Sequence, residues 1–151
     1  MVAVSDQLVW EIVKSNNSFL KKRNGKTKRS GKVEFSSAKG NVKSLNRFAY
    51  CPLSNSKACD ISCTADNKAE LFVKSSSKSA TQPAKGAAKI ALNKSDFRKM
   101  EKTIKNSTSG VYYRRDLEAA MLGKLTKVYQ ANKRANGVKK GVPPKMGRGT
   151  L

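Results

Sequence analysis

The sequence predicts an α+β fold, with an N-terminal helix on a small antiparallel sheet, followed by two C-terminal helices and a basic tail. Three patterns favour this class: helical spacing near the N-terminus, a strand-like alternation in the middle and a return to helical spacing later. We therefore expect an α+β globular domain over 1–75, a low-complexity basic linker over 76–94, a two-helix segment over 95–136 and an extended basic tail over 137–151.

The first predicted element is a helix over residues 4–14. Ser5 precedes it as a potential N-cap, and Asp6 lies in the first turn, where the helix dipole favours a carboxylate. Its apolar face consists of Leu8, Val9, Ile12 and Val13. Because the first half of the chain has few other large apolar residues, we expect this face to pack into the core rather than bind a partner.

Two strands, starting at Phe19 and Val33, are predicted to flank an exposed loop over residues 21–32, which has two glycines and no apolar residue. Residues 47–51 contain aromatic residues that favour a strand ending at Pro52. The aromatic residues of that segment, Phe48 and Tyr50, are expected in the core, with stacking on bases as the alternative.

A hairpin is predicted next, with strands over 58–64 and 69–75. Cys59, Ile61 and Cys63 alternate on one face of its first strand, so we expect both thiols to be buried as small hydrophobic groups. A zinc site is disfavoured. Three cysteines without histidine leave the shell one ligand short, and four strand residues would separate these two thiols by roughly 13 Å.

Helical spacing returns in the C-terminal part of the chain. Ser95 is the predicted N-cap of a helix whose stripe is Phe97, Met100 and Ile104. A second helix is predicted from about Asp116, and its apolar stripe is formed by Leu117, Met121, Leu125 and Val128. The short connection predicts an antiparallel or angled helix pair.

Charge sets the expected class of partner. The chain has 32 Lys and Arg, 10 Asp and Glu and no His, which gives a net charge of +22. Soluble domains usually carry about two to eight net charges, so this excess calls for a polyanion. Nucleic acid is the densest one. A membrane surface is the weaker candidate, because no basic amphipathic helix ends at a lipid-modifiable terminus.

Several classes of chemistry are disfavoured. Without histidine the chain lacks the commonest general base and metal ligand, and its acidic residues are spread along the sequence. It contains no phosphate-binding loop, dinucleotide fingerprint or nucleophile elbow. We therefore expect that the protein is not an enzyme and that it binds no cofactor, metal or small-molecule substrate. The odd cysteine count favours a reducing compartment, and no apolar run is long enough to span a membrane.

The candidate RNA-binding residues are the cations of the first basic segment, the helix connection, the last helix and the tail. Residues 14–57 hold twelve basic residues and a single acid, Glu34, and no acid follows Glu118. The full predicted set is Lys21, Lys22, Arg23, Lys26, Lys28, Arg29, Lys32, Lys39, Lys43, Arg47, Arg114, Arg115, Lys127, Lys139, Lys140, Lys145 and Arg148.

Several short motifs resemble those of a known protein family. The opening LVWEIVKSNNSFLKKRN, residues 8–24, resembles that of the eukaryote-specific L28e family of large-subunit ribosomal proteins. Phe35-Ser36, Asn41-Val42 and the segment 46–50 are similar to the second conserved block of that family, and 113–117 to its segment before the last helix. The chain departs from the family at Ala38-Lys39, at Arg115 and over 52–91.

The resemblance implies an α+β fold, no catalytic activity and a structural place in the large subunit of the cytosolic ribosome, assembled in the nucleolus. Its implied partners are rRNA and neighbouring ribosomal proteins. A ribosome-assembly factor that shares this domain is the alternative function. A chromatin protein is a third hypothesis, suggested by the composition of residues 79–89, but that segment is short and unrepeated.

Overall fold

The structure is a computed structural model that describes residues 4–24, 29, 31–78, 82, 85–92 and 96–137. It confirms the α+β class, with three helices and five strands in the described residues. They are α1 (Asp6–Val13), β1 (Leu20–Asn24), β2 (Lys32–Ser36), β3 (Cys59–Cys63), β4 (Ala69–Lys74), β5 (Ala87–Leu92), α2 (Phe97–Ser107) and α3 (Glu118–Ala135).

The strands form two antiparallel sheets rather than one. Strands β1 and β2 make a two-stranded ribbon, and β3, β4 and β5 make a three-stranded sheet with β4 in the middle. The predicted hairpin is confirmed: β3 and β4 pair from Cys59 opposite Val73 to Cys63 opposite Ala69. Asn67 allows its turn by taking a left-handed φ of 55°, which asparagine tolerates better than most residues.

Strand β5 was not predicted from the sequence. Residues 87–92 lie within the predicted linker 76–94, yet they pair with β4 from Lys74 opposite Ala87 to Ala69 opposite Leu92. The linker prediction is therefore wrong over these six residues. Alanine and lysine have little intrinsic preference for strands, so it is pairing with the free edge of β4 that decides their conformation.

The core lies between the three-stranded sheet and the C-terminal helices. Ile61 and Leu71 face each other across β3 and β4, and both are fully buried, as are Ile104 of α2 and Met121 and Leu125 of α3. The apolar stripes predicted for the two helices are thus confirmed. The hairpin, β5 and both helices share this one core, so the boundary drawn between residues 75 and 95 does not divide two cores.

Helix α1 is present as predicted, but its packing prediction is wrong. None of its residues is buried: Leu8 and Ile12 are 56% and 67% exposed, and Val4, just before the helix, is 57% exposed. Helix α3 packs against β3 and β4 and α2 packs against α3, so the C-terminal helices already fill the core face of the three-stranded sheet. Loops hold it instead: the Trp10 ring lies 6.1 Å from that of Phe48.

Residues 48–50 form a turn of 3-10 helix rather than the predicted strand. The amide of Cys51 donates to the carbonyl of Phe48, and the side chain of Asn55 donates to the carbonyls of both residues. These bonds satisfy the backbone without a partner strand. Phe48 is 38% exposed, which contradicts its predicted burial, whereas Tyr50 packs against the edge of the core.

The cysteine and capping predictions have mixed outcomes. Cys51 and Cys59 are buried free thiols, and burial raises the pKa of Cys59 to about 12, but Cys63 is exposed. Asp96, rather than Ser95, is the N-cap of α2, since its side chain accepts from the Arg98 amide at 3.0 Å. Ser95 lies outside the described residues.

No helix in the described part of the chain is long and apolar enough to cross a bilayer. Within the same residues, no group of three or more Cys, Asp or Glu side chains is arranged to hold a metal ion.

Candidate nucleic-acid interface

The β1–β2 ribbon has an outer face that combines cations with apolar side chains. Lys21 lies opposite Phe35, and Arg23 lies opposite Val33. Directly opposed residues of an antiparallel pair point to the same face, so these four side chains share one surface. Both cations are exposed, and Phe35 and Val33 are 45% and 37% exposed. This surface can offer charge to phosphates and apolar area to bases.

The inner face of the ribbon keeps its polar groups within the chain. Lys22 donates from Nζ to the carbonyl of Ser15 at 2.8 Å. Glu34 accepts from Lys32 at 2.5 Å and from Asn46 at 2.9 Å. The hydrogen bond from Lys32, aided by that from Asn46, lowers the pKa of Glu34. The only acid of the first basic segment is thus already neutralised and adds little repulsion toward phosphate.

The cations Lys39, Lys43 and Arg47 follow the ribbon on the segment that connects it to β3. All three are exposed, and Lys43 Nζ lies 5.2 Å from the centre of the Tyr50 ring. Gly40 lets this segment approach the sheet closely, because a Cβ there would lie 3.1 Å from the Phe72 ring of β4 and 3.0 Å from the Cβ of Pro52. The three cations therefore stand on backbone that is packed against the folded part of the chain.

The side chain of Arg114 is turned inward. Its guanidinium donates to the carbonyls of Lys57 at 2.8 Å and Ala49 at 2.5 Å, and it binds both carboxylate oxygens of Asp116, at 3.0 and 2.8 Å. The hydrogen bonds from Arg114 are the main cause of the lowered pKa of Asp116. Four of its five N–H groups thus have partners within the chain, and its geometry gives it a structural role.

Arg115, the next residue, is exposed and lies outside the core. Its guanidinium carbon is 5.2 Å from the centre of the Tyr112 ring. The two arginines, both predicted to bind RNA, therefore differ in what they can do. Only Arg115 has its charge available at the surface.

Helix α3 separates its lysines in a similar way. Lys127 is exposed on the outer face, together with Lys133 and Arg134. Lys124, one turn before Lys127, reaches the buried carboxylate of Asp60 on β3 and forms an ion pair with it. Burial raises the pKa of Asp60 despite this contact. Lys124, which is not among the predicted RNA-binding residues, thus joins α3 to β3.

The structure gathers part of the predicted set. Lys21 and Arg23 share the outer ribbon face, and Arg29 and Lys32 are exposed at the end of the ribbon. The contribution of Phe35 and Val33 to this surface was missed, although their alternation with Lys32 and Glu34 carried the signal. Outside the described residues lie Lys26, Lys28, Lys139, Lys140, Lys145 and Arg148, which remain predictions.

Comparison with known proteins shows which family the chain resembles. Residues 8–131 match the model of the Ribosomal L28e protein family. Three similar proteins are each named large ribosomal subunit protein eL28. The one from Schizosaccharomyces pombe is 26% identical over 87% of this chain and 96% of its own length. That from Caenorhabditis elegans is 32% identical over 69% and 75%, and that from Dictyostelium discoideum 30% identical over 85% and 89%.

The family match spans the ribbon, the three-stranded sheet and most of α3, including the motifs from which the resemblance was predicted. The chain belongs to the ribosomal L28e protein family.

Proposed function

We propose that this protein is a structural constituent of the large subunit of the cytosolic eukaryotic ribosome, where it binds rRNA and supports translation. Family membership and the names of its relatives support this assignment. The single observation that carries the rRNA-binding part is the outer ribbon face, where Lys21 and Arg23 flank exposed apolar side chains while the local acid is neutralised inside.

Binding requires no chemistry beyond fixed charge. Lys and Arg stay protonated across the physiological range, so the cations neutralise phosphates permanently. The residues proposed to contact rRNA phosphates are those of the ribbon together with Lys39, Lys43, Arg47, Arg115 and Lys127. Recognition is mainly of the RNA backbone and its shape, as is usual for folded RNA. Within this proposal Arg114 acts by holding the turn that presents Arg115.

A neighbouring ribosomal protein is the proposed partner of α1. Its apolar residues Leu8 and Ile12 are exposed one turn apart on the same helix face, and Val4, just before the N-cap Ser5, is exposed as well. The helix itself carries Asp6 and Glu11 but no Lys or Arg, so it is poorly suited to meet phosphate. An apolar surface beside acids fits a basic protein better than it fits RNA, whose phosphates the acids would repel.

Sedimentation tests the assignment against its alternatives. A subunit constituent remains with translating polysomes after a wash in moderate salt, whereas an assembly factor is confined to nucleolar precursors. Release of the protein by RNase and not by DNase separates ribosomal from chromatin association. Absence from polysomes would overturn the proposal.

Photo-crosslinking tests the division between RNA and protein partners. Benzoylphenylalanine placed at Phe35 is expected to join the chain to rRNA, and the same group at Ile12 to a ribosomal protein. Both positions are exposed and lie outside the core, so the pair is matched for tolerance. An rRNA adduct from position 12 would contradict the proposed role of α1.

A further inference from the structure

The turn between α2 and α3 carries an aromatic side chain that packing does not explain. Val111 and Tyr112 are 62% and 78% exposed, and Tyr112 is the most exposed large hydrophobic side chain in the described residues. Its backbone is left-handed, with φ 53° and ψ 31°, a conformation that aromatic residues rarely adopt. The chain thus holds a large ring in solvent on an unfavourable backbone.

The residues on either side fix this turn. The amides of Tyr112 and Tyr113 donate to the carbonyls of Ser109 at 3.2 Å and Thr108 at 2.8 Å. The Tyr113 hydroxyl accepts from the Ala58 amide at 2.9 Å and also contacts the carbonyl of Lys74. Arg114, whose guanidinium donates to the carbonyls of Lys57 and Ala49, is the next residue. The ring of Tyr112 therefore projects from rigid backbone, which lowers the conformational entropy that binding would cost.

The local charge favours a nucleotide. The guanidinium of Arg115 lies beside the Tyr112 ring and forms no ion pair with an acid of the described residues, because Arg114 holds Asp116. Aromatic rings bind unstacked bases by stacking, and arginine binds phosphates by charge and hydrogen bonds. A protein partner would cover Val111 well, but it would also desolvate Arg115 unless it supplied a carboxylate.

We propose that Tyr112 and Arg115 form a binding site for one unstacked rRNA nucleotide, with the base stacked on Tyr112 and a neighbouring phosphate held by Arg115. This inference rests on the proposed function and adds a defined ligand to it. Its class is a flipped-out or single-stranded nucleotide rather than a helix backbone, which makes it distinct from the phosphate contacts proposed for the ribbon.

The first test replaces Tyr112 with benzoylphenylalanine in cells that assemble the chain into large subunits. Irradiation of purified subunits is expected to join position 112 to rRNA, and a reverse-transcription stop should locate the adduct at one or two adjacent nucleotides. Position 35 provides the matched control for RNA contact in the same subunits. A protein adduct from position 112, or no adduct, overturns the inference.

The second test measures the nucleotide itself by chemical probing of its base in subunits that carry Tyr112→Ala, Tyr112→Phe or Tyr112→Trp. Loss of the ring is expected to raise its reactivity, while Phe and Trp keep it at the wild-type level. Binding of an rRNA fragment that contains this nucleotide should weaken about tenfold in Tyr112→Ala, as is typical for the loss of one base–aromatic stack. Unchanged reactivity and affinity in Tyr112→Ala overturn the inference.

Two controls separate the possible failures. Tyr112 lies outside the core, so Tyr112→Ala should unfold at the wild-type temperature, and a change in RNA contact then reflects the lost ring. If the chain is missing from the subunits, the proposed function and this inference both fail. If the chain is present and position 35 joins rRNA while position 112 does not, only this inference fails.

Discussion

The C-terminal and N-terminal regions of this protein differ in how far they bury their apolar side chains. In the sheet of β3, β4 and β5 with its two helices, residues such as Leu71 and Leu125 are fully buried. In α1 and the β1–β2 ribbon, Ile12 and Phe35 remain 67% and 45% exposed, although both elements have regular hydrogen bonding. Apolar surface that stays in contact with water adds nothing to the free energy of folding, and a large exposed patch often marks a site that another molecule covers.

This difference shows where the fold gets its stability. The C-terminal region contains most of the buried apolar core. Side-chain hydrogen bonds from Asn46 to Lys14 and to Glu34 join α1 to the ribbon, and Lys74 of β4 donates to the carbonyls of Pro52 and Asn55 in the segment that follows them. The same N-terminal region carries the densest positive charge of the sequence. One region is thus an anchor, and we expect the other to be completed by the RNA and protein partners proposed for it.

The largest expected effect comes from truncating a buried residue of the anchor. Leu71→Ala should lower the free energy of unfolding by about 3 kcal/mol, because it removes buried methyl groups and leaves a cavity. Ile12→Ala is the matched change in the N-terminal region and should cost less than about 0.5 kcal/mol in the free protein. Urea denaturation of both variants measures this, and similar losses would break the contrast between the regions.

The buried ion pair between Asp60 and Lys124 gives a pH-dependent prediction. Lys124→Met leaves a buried carboxylate without its partner and should cost about 3 kcal/mol near neutral pH. The pKa of Asp60 is already raised in the folded state, so the fold loses stability as pH rises from the ordinary pKa of an aspartate toward the raised one. Loss of Lys124 should raise the folded-state pKa further and therefore enlarge this loss of stability.

The stability gap between Lys124→Met and wild type should therefore narrow as the solution is acidified and Asp60 becomes protonated. Thermal unfolding across a pH series measures the gap. Lys127→Met, on the exposed face of the same helix, is the control and should show a small loss that does not depend on pH. A gap that widens in acid would contradict the assigned role of Lys124.

The adjacent arginines sharpen the comparison at single-residue level. Arg114→Ala removes several hydrogen bonds to carbonyls and to Asp116 and should destabilise the free protein by about 2 kcal/mol. Arg115→Ala should leave stability within about 0.5 kcal/mol of wild type but weaken binding to rRNA. Melting temperatures together with rRNA affinities test this, and an exchange of the two phenotypes would refute it.

The smallest effect per residue is expected for the ribbon cations. Replacing Lys21 and Arg23 with glutamine should reduce the log–log salt slope of rRNA binding by roughly 0.7 to 0.9 for each lost phosphate contact. Lys89→Gln with Lys105→Gln is the matched control, because both lysines face glutamates on the surface. Filter binding across a salt series measures the slopes, and equal slopes for the two double variants would exclude the ribbon as a phosphate site.

Patterns that depend on local spacing allowed much of the fold to be predicted. The β3–β4 hairpin and the stripes of α2 and α3 follow from alternation and helical period, which burial on one face enforces. Strand β5 and the exposure of α1 depend instead on which surfaces other elements leave free, so the sequence around them carries little signal. In the candidate interface, charge density located the ribbon, but only the fold shows that Arg114 is occupied and Arg115 is available.

Hydrogen–deuterium exchange on the free protein and on purified large subunits tests the central claim most directly. The account predicts that amides of the three-stranded sheet and α3 are protected in both samples. Amides of α1 and the ribbon should exchange rapidly in the free protein and become protected in the subunit. Equal protection of the N-terminal region in the two samples would contradict the claim that partners complete it.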